Sequence, residues 1–285
     1  MNSKVLKVNE HLCAKFECEL DYGSYKIRGV KNYFAKRDSF SDVHVLSAGN
    51  LASACVGEAR KKGVKCTAVV PEFISRIKEN KIISLGGDIL KIPFLDLWAM
   101  VEDQDLVLDK DILHPIHPDL LEGYGEIVDE IISEYVDCKN VFVPFGLGGL
   151  ALGLVRARKR LNANFNIFLV EVENFTPFKH YFENNKNELN EYMKSFIEAM
   201  GAPRVLEFVF EELKSQIKGV VTVKESDVSD CIRSFFIQNK VKLEGAAGAA
   251  LAGAKKLKLK KSLALLTGEN ISTDVFEEII NGSHC

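Results

Sequence analysis

A chain of 285 residues with 37 Lys+Arg against 40 Asp+Glu, a net charge of -3 and 47% apolar residues has the make-up of one large globular domain or two ordinary ones. That balance excludes a disordered or solvating role and gives no reason to expect a polyanionic partner. The basic run KKLKLKK at 255–261 reads as a solvated helix end and turn, not a nucleic-acid patch. The opening residues MNSKVLKVNEHL mix charge into every turn and hold no apolar signal core, and no uncharged stretch has the roughly 20 residues of a membrane helix, so a cytoplasmic protein is expected.

Taken in chain order, the first distinctive segment is GSYKIRG at 23–29, which sets Lys26 between a hydroxyl and glycines. A β-branched run VHVLS at 43 opens a series that continues with VKCTAVV at 64 and GDILKI at 87, with helical patterns at about 51–62 and 74–85 between and around them. HPIHP at 114–118 is the candidate crossing between two domains, and its histidines lack the further ligands of a metal site. A helix at 119–136 follows, then VFVPF at 141, a helix at 150–161, NIFLVEVE at 166, VVTV at 220, helices at 226–239 and 244–254, SLALLT at 262 and a last helix at 273–280. Such alternation predicts right-handed βαβ units and mainly parallel sheets with helices on both faces, an α/β fold of two parallel-sheet, three-layer domains. Residues 1–41 and 118–285 are expected to form the larger domain and 42–117 the smaller one inserted in it. Cys13, Cys18, Cys55, Cys66, Cys138, Cys231 and Cys285 are an odd number without a C-x-x-C pair, so they read as reduced thiols, and no metal is expected.

Ligands of such folds sit at the carboxyl ends of strands, and three strand ends here are unusual. They are Ser47-Ala48-Gly49-Asn50, the glycine turn around Gly146, Gly148 and Gly149, and Thr267-Gly268-Glu269-Asn270. The glycine turn lies between a buried strand and a helix, where free backbone N–H groups and the helix dipole favour an anion. Its spacing matches neither the dinucleotide nor the nucleotide-triphosphate loop, so a ligand with a single phosphate is expected; a packing role for the glycines remains the alternative. A partly buried lysine loses proton affinity and becomes a candidate for Schiff-base formation, although a surface lysine beside a turn is the plainer reading of Lys26 alone. Together, a single-phosphate cradle and a Schiff-base lysine specify pyridoxal 5′-phosphate.

The order of motifs resembles the serine/threonine dehydratase branch of the fold type II, tryptophan synthase β-like, pyridoxal-phosphate enzymes. GSYKIRG is similar to the family's lysine motif, SAGNLASA to its asparagine loop and VPEFISRIKENKIISLGGDIL to the helix and strand that follow. HPIHPDLLEGYGEIVDEI resembles the return to the large domain, FGLGGLALGL the phosphate loop, KLEGAAGAALAG the acidic-and-alanine helix near the site, and LLTGEN the last strand. The resemblance implies that Lys26 carries the cofactor as a Schiff base and later acts as the base at the substrate Cα. Asn50 would then bind the phenolic oxygen, the amides of Gly146, Leu147, Gly148, Gly149 and Leu150 the phosphate, and Thr267 the pyridine nitrogen. Ser47, Ala48, Gly49 and Leu51 would hold the substrate carboxylate. A neutral hydroxyl at the ring nitrogen makes the cofactor a weaker electron sink than a carboxylate would.

Four departures accompany the match. Members carry a few dozen residues ahead of the lysine motif where Lys26 lies close to the start, and Leu51, Leu147 and Glu269 stand where histidine or threonine, glycine and glycine are usual. The chain also ends about 15 residues after Asn270, so no regulatory domain is expected. Ala48 stands where racemising relatives place a serine hydroxyl. The implied function is β-elimination on a small β-hydroxy amino acid such as L-threonine or L-serine, giving a 2-oxo acid and ammonia. A β-replacement synthase, or a catalytically silent homologue with a binding role, is the alternative. A homodimer acting on a small amino acid, with no nucleic-acid or membrane partner, completes the expectation.

Overall fold

A computed structural model describes residues 1–37, 39, 41–109, 111–188 and 195–282; Cys285 lies outside them. Two sheets organise these residues. The first has the order β5-β4-β3-β6 and is wholly parallel, formed by β3 (Val43–Leu46), β4 (Cys66–Pro71), β5 (Asp88–Ile92) and β6 (Ile112–Leu113). The second has the order β1-β2-β10-β7-β8-β9, from β1 (Val5–Lys7), β2 (Leu12–Lys15), β7 (Asn140–Pro144), β8 (Asn166–Val172), β9 (Gly219–Val223) and β10 (Ser262–Leu265). Only β1 runs antiparallel to its neighbour, with Leu6 opposite Ala14. All five residues of β7 are buried, as a central strand covered by helices on both faces requires.

The strands expected from β-branched runs all form. Their helical partners form as well: α2 (Asn50–Lys61), α3 (Arg76–Ser84), α5 (Pro118–Glu134), α6 (Gly149–Arg160), α9 (Glu225–Asn239), α10 (Gly245–Leu257) and α11 (Thr273–Asn281). The structure adds β1, β2 and β6, and the helices α1 (Lys26–Ala35), α4 (Phe94–Glu102), α7 (Pro177–Asn184) and α8 (Glu207–Leu213). These are short elements, or elements whose polar residues turn inward. Lys15 of β2 and Arg28 of α1 are both fully buried, which hides the period that a hydrophobic pattern relies on.

The sequence HPIHP spans the passage from β6 to α5. The ring of His114 accepts the N–H of Ile116 at 3.1 Å and meets the carbonyl of Val101 at 2.9 Å. His117 caps α5 by accepting the N–H of Asp119 at 3.1 Å, with Pro118 at the first helical position. The KKLKLKK run closes α10, with Lys258 in the left-handed conformation that ends it. Six cysteines among the described residues carry no disulfide, and among the same residues no helix is long and apolar enough to cross a membrane.

Candidate active site

The carboxyl ends of β3, β7 and β10 open on one cavity of about 590 Å³. Lys26, Ser47, Ala48, Gly49, Asn50 and Leu51 line it together with Gly146, Leu147, Gly148, Gly149, Leu150 and Thr267, so every residue expected to meet cofactor or substrate lines one cavity, whereas Gly268 and Glu269 of the third strand end do not. Phe94, Leu97 and Trp98 of α4 add an apolar wall that the sequence pattern did not reveal.

Lys26 begins α1 and is half-buried, with its ammonium 4.8 Å from the centre of the Tyr25 ring and 5.3 Å from that of Tyr124. Burial lowers its pKa to about 8, against the opposing pull of the Glu244 carboxylate. Two residues further on, Arg28 fastens the helix from behind. Its guanidinium lies 2.6 Å from Glu17 and 2.6 Å from Glu130, which also receives Lys15 at 2.5 Å. Removing one member of so buried a group leaves an uncompensated charge, so the cluster fixes the place of α1 even where its net stabilisation is small.

The glycine turn carries β7 into α6. Gly148 has φ +87, a left-handed conformation that glycine adopts without steric cost, and a Cβ there would lie 2.5 Å from Val209. The packing role of this glycine is therefore real. The first-turn amides of α6 have no carbonyl one turn back to bind, and no acidic side chain occupies that turn. The free amides and the helix dipole give this end of α6 a partial positive character that favours an anion.

At the end of β3 the Ser47 hydroxyl accepts the N–H of Gly49 at 3.2 Å, which shapes the turn and leaves its proton for a ligand. Asn50 opens α2, and its amide is engaged at both ends. Its Oδ1 accepts from Asn270 at 2.8 Å, and its Nδ2 donates to Glu244 at 2.8 Å. Thr267, at the end of β10, donates its hydroxyl to the other oxygen of Glu244 at 3.3 Å. Lys81 of α3 reaches the same cavity and donates to Asn270 Oδ1. Burial lowers the proton affinity of Lys81 and raises that of Glu244, which Asn50, Thr267, Lys26 and Lys81 draw back down.

Glu244, Lys81 and Asn270 were not among the expected site residues. A glutamate heading an alanine-rich helix is a visible signal for the first, and Asn270 belongs to a polar strand end already noted. Lys81 gives none, since one lysine in the charged helix RIKENKIIS is indistinguishable from its solvated neighbours.

The sequence model of the family described as pyridoxal-phosphate dependent enzyme matches residues 2–268. An L-threonine ammonia-lyase of Thermotoga maritima is 28% identical over 272 residues, which cover 91% of this chain and 67% of that protein. The mitochondrial threonine dehydratase of Schizosaccharomyces pombe is 26% identical, and the match spans only 44% of its length. Among solved structures, the processed form of threonine deaminase isoform 2 from Solanum lycopersicum superposes with a TM-score of 0.82 at 23% identity, over 96% of this chain and 83% of that one.

Proposed function

This chain belongs to the pyridoxal-phosphate dependent enzymes, and from that membership we propose that it is an ammonia-lyase acting on L-threonine or L-serine. The reaction takes the amino acid to a 2-oxo acid and ammonia, the β-hydroxyl leaving as water and one water being consumed when the nitrogen is released. The observation that carries this reading is the lowered proton affinity of Lys26 in the same cavity as the glycine turn of α6. When bound, pyridoxal 5′-phosphate supplies an electron sink that makes the substrate Cα–H acidic.

The residues present fit that cofactor. Lys26 would carry it covalently and, with a pKa of about 8, take the proton from Cα near neutral pH. The amides of Gly146, Leu147, Gly148, Gly149 and Leu150 would hold the phosphate, Asn50 the phenolic oxygen and Thr267 the ring nitrogen. Ser47 with the backbone of Ala48, Gly49 and Leu51 would receive the substrate carboxylate, and the apolar side chains of Phe94, Leu97 and Trp98, which line the same cavity, would keep water from the reacting carbon. We assign residues 42–117 to a smaller domain inserted in one formed by 1–41 and 118–285, an arrangement that the separate four-stranded sheet supports. A cytoplasmic compartment and a homodimer complete the reading; light scattering tests the latter.

The test is release of ammonia and 2-oxo acid from L-threonine and L-serine, each supplied alone to the cofactor-loaded protein. Formation of both products is expected. A loaded protein that releases neither would overturn the proposed activity.

A further inference from the structure

Lys81 is an unusual cation for a cavity wall. It is half-buried and reaches from α3, beside the four-stranded sheet, to Asn270 Oδ1, and among the described residues it forms no ion pair. Lys78, one turn earlier on the same helix, is paired with Glu198. Burial weakens the hold of Lys81 on its proton, while the fields of Glu244 and Glu269 strengthen it. Among the described residues the hydrogen-bond partner of this ammonium is therefore a neutral amide, and that amide leads on into the site.

The chain of amides that starts at Lys81 has a fixed direction. Asn270 accepts at Oδ1 from an ammonium that can only donate, so its Nδ2 faces the Tyr22 carbonyl at 2.9 Å, the Gly23 carbonyl at 3.3 Å and Asn50 Oδ1 at 2.8 Å. Asn50 must then turn its own Nδ2 the other way, where one hydrogen goes to Glu244 at 2.8 Å. The second hydrogen meets no acceptor among the described residues, and Asn50 lines the cavity. A donor is thus held ready for a ligand with a cation at the far end of its hydrogen-bond chain. Each bond in such a chain polarises the next, so the charge strengthens the last donor.

We infer that Lys81 is a positioning residue that favours the ionised form of the cofactor's phenolic oxygen through Asn270 and Asn50. This rests on the reading above, in which Asn50 meets that oxygen. A donor strengthened from behind binds an oxygen anion more tightly than a neutral hydroxyl, because a hydrogen bond to an ionised acceptor is the stronger one. Every group along the chain keeps its own protons, and only the strength of the last donor depends on Lys81.

The absorption of the bound cofactor reads this ionisation, since the ionised phenolic oxygen gives a long-wavelength yellow band and the neutral one a near-ultraviolet band. In the cofactor-loaded protein at neutral pH, Lys81→Met is expected to lower the ratio of yellow to near-ultraviolet absorbance by about threefold or more, through loss of the charge. Lys81→Arg keeps the charge and is expected to hold the ratio near the wild-type value. Lys81→Gln, neutral but still a donor, serves if Lys81→Met does not fold, and the same fall is expected. A ratio unmoved by loss of the charge, or one that falls as far in Lys81→Arg, would overturn the inference. Asn50→Ala separates this from failure of the underlying reading. A fall in Asn50→Ala with Lys81→Met unmoved overturns the role of Lys81 alone, whereas no change in Asn50→Ala removes Asn50 from the phenolic oxygen and overturns both. In the double variant the Lys81 substitution should add nothing to the effect of Asn50→Ala, as a relay requires, and additive losses would overturn the relay.

Discussion

An ammonium withdrawn from water holds its proton less tightly, and Lys26 is placed where that matters. Its pKa of about 8 is to be set against ~10.4 for a lysine in solution. Only the unprotonated amine attacks an aldehyde, and that form predominates above the pKa. The rate at which the cofactor-free protein captures pyridoxal 5′-phosphate should therefore climb with pH to a midpoint near 8. Stopped-flow absorbance measures it, and a rate still climbing beyond about pH 10 would indicate an ordinary exposed lysine. Ala48 carries a second expectation at this scale. It lines the cavity in the turn that precedes Asn50, and its methyl group neither donates nor accepts a proton. On the proposal that Lys26 acts as the base at Cα and nothing at position 48 acts on the other face, incubation with L-serine should yield no D-serine by chiral chromatography. Its accumulation would mean that another group reaches the opposite face.

The helix α6 and its glycine turn make a claim that can be separated from packing. At Gly148 any side chain would strain the backbone and strike Val209, so a substitution there confounds two effects. At Gly149 a Cβ would stand 3.4 Å from Ile116 and from the Pro115 carbonyl, a tight but possible fit. Gly149→Ala should leave cofactor affinity within a few-fold, while Gly149→Asp should weaken it by about tenfold or more, ~1.4 kcal/mol, because a carboxylate competes with the phosphate for the same amides. Equal affinities measured by absorbance titration would move the phosphate elsewhere. The legibility of such elements in the sequence follows their composition. The run VFVPFGLGG announces β7, the turn and the start of α6 because apolar β-branched residues and glycines can hardly be read otherwise. The helix α1 is hidden because Arg28 points inward to Glu17 and to Glu130, the latter 102 residues away, a pairing that no local pattern contains. For α4 the apolar residues FLDLWAM crowd almost every position and mask the helical period.

Across the whole molecule, the cavity is assembled from both sheets. Asn50 and Lys81 come with the four-stranded sheet, whereas Lys26, the glycine turn, Glu244 and Thr267 belong to elements around the six-stranded one. The two sides are joined at the site itself, by Asn50 to Glu244, by Lys81 to Asn270 and by the 2.5 Å pairing of Lys78 with Glu198. Motif order in the sequence pointed to residues that line one cavity, since Ser47–Asn50, the glycine turn and Thr267 follow strand ends where their composition stands out and Lys26 opens a helix between a hydroxyl and a glycine. The links between the halves were not legible, because a lysine or glutamate gains its role there only from a partner brought close by the fold. Everything proposed for the chain rests on which lysine holds the cofactor. Lys26, Lys78 and Lys81 all line the cavity, and Lys26 alone starts a helix between aromatic rings. Borohydride reduction of the cofactor-loaded protein, followed by peptide mass mapping, decides among them. A pyridoxyl group on Lys26 is the expected result, and the same group on Lys78, Lys81 or any other lysine would contradict the assignment.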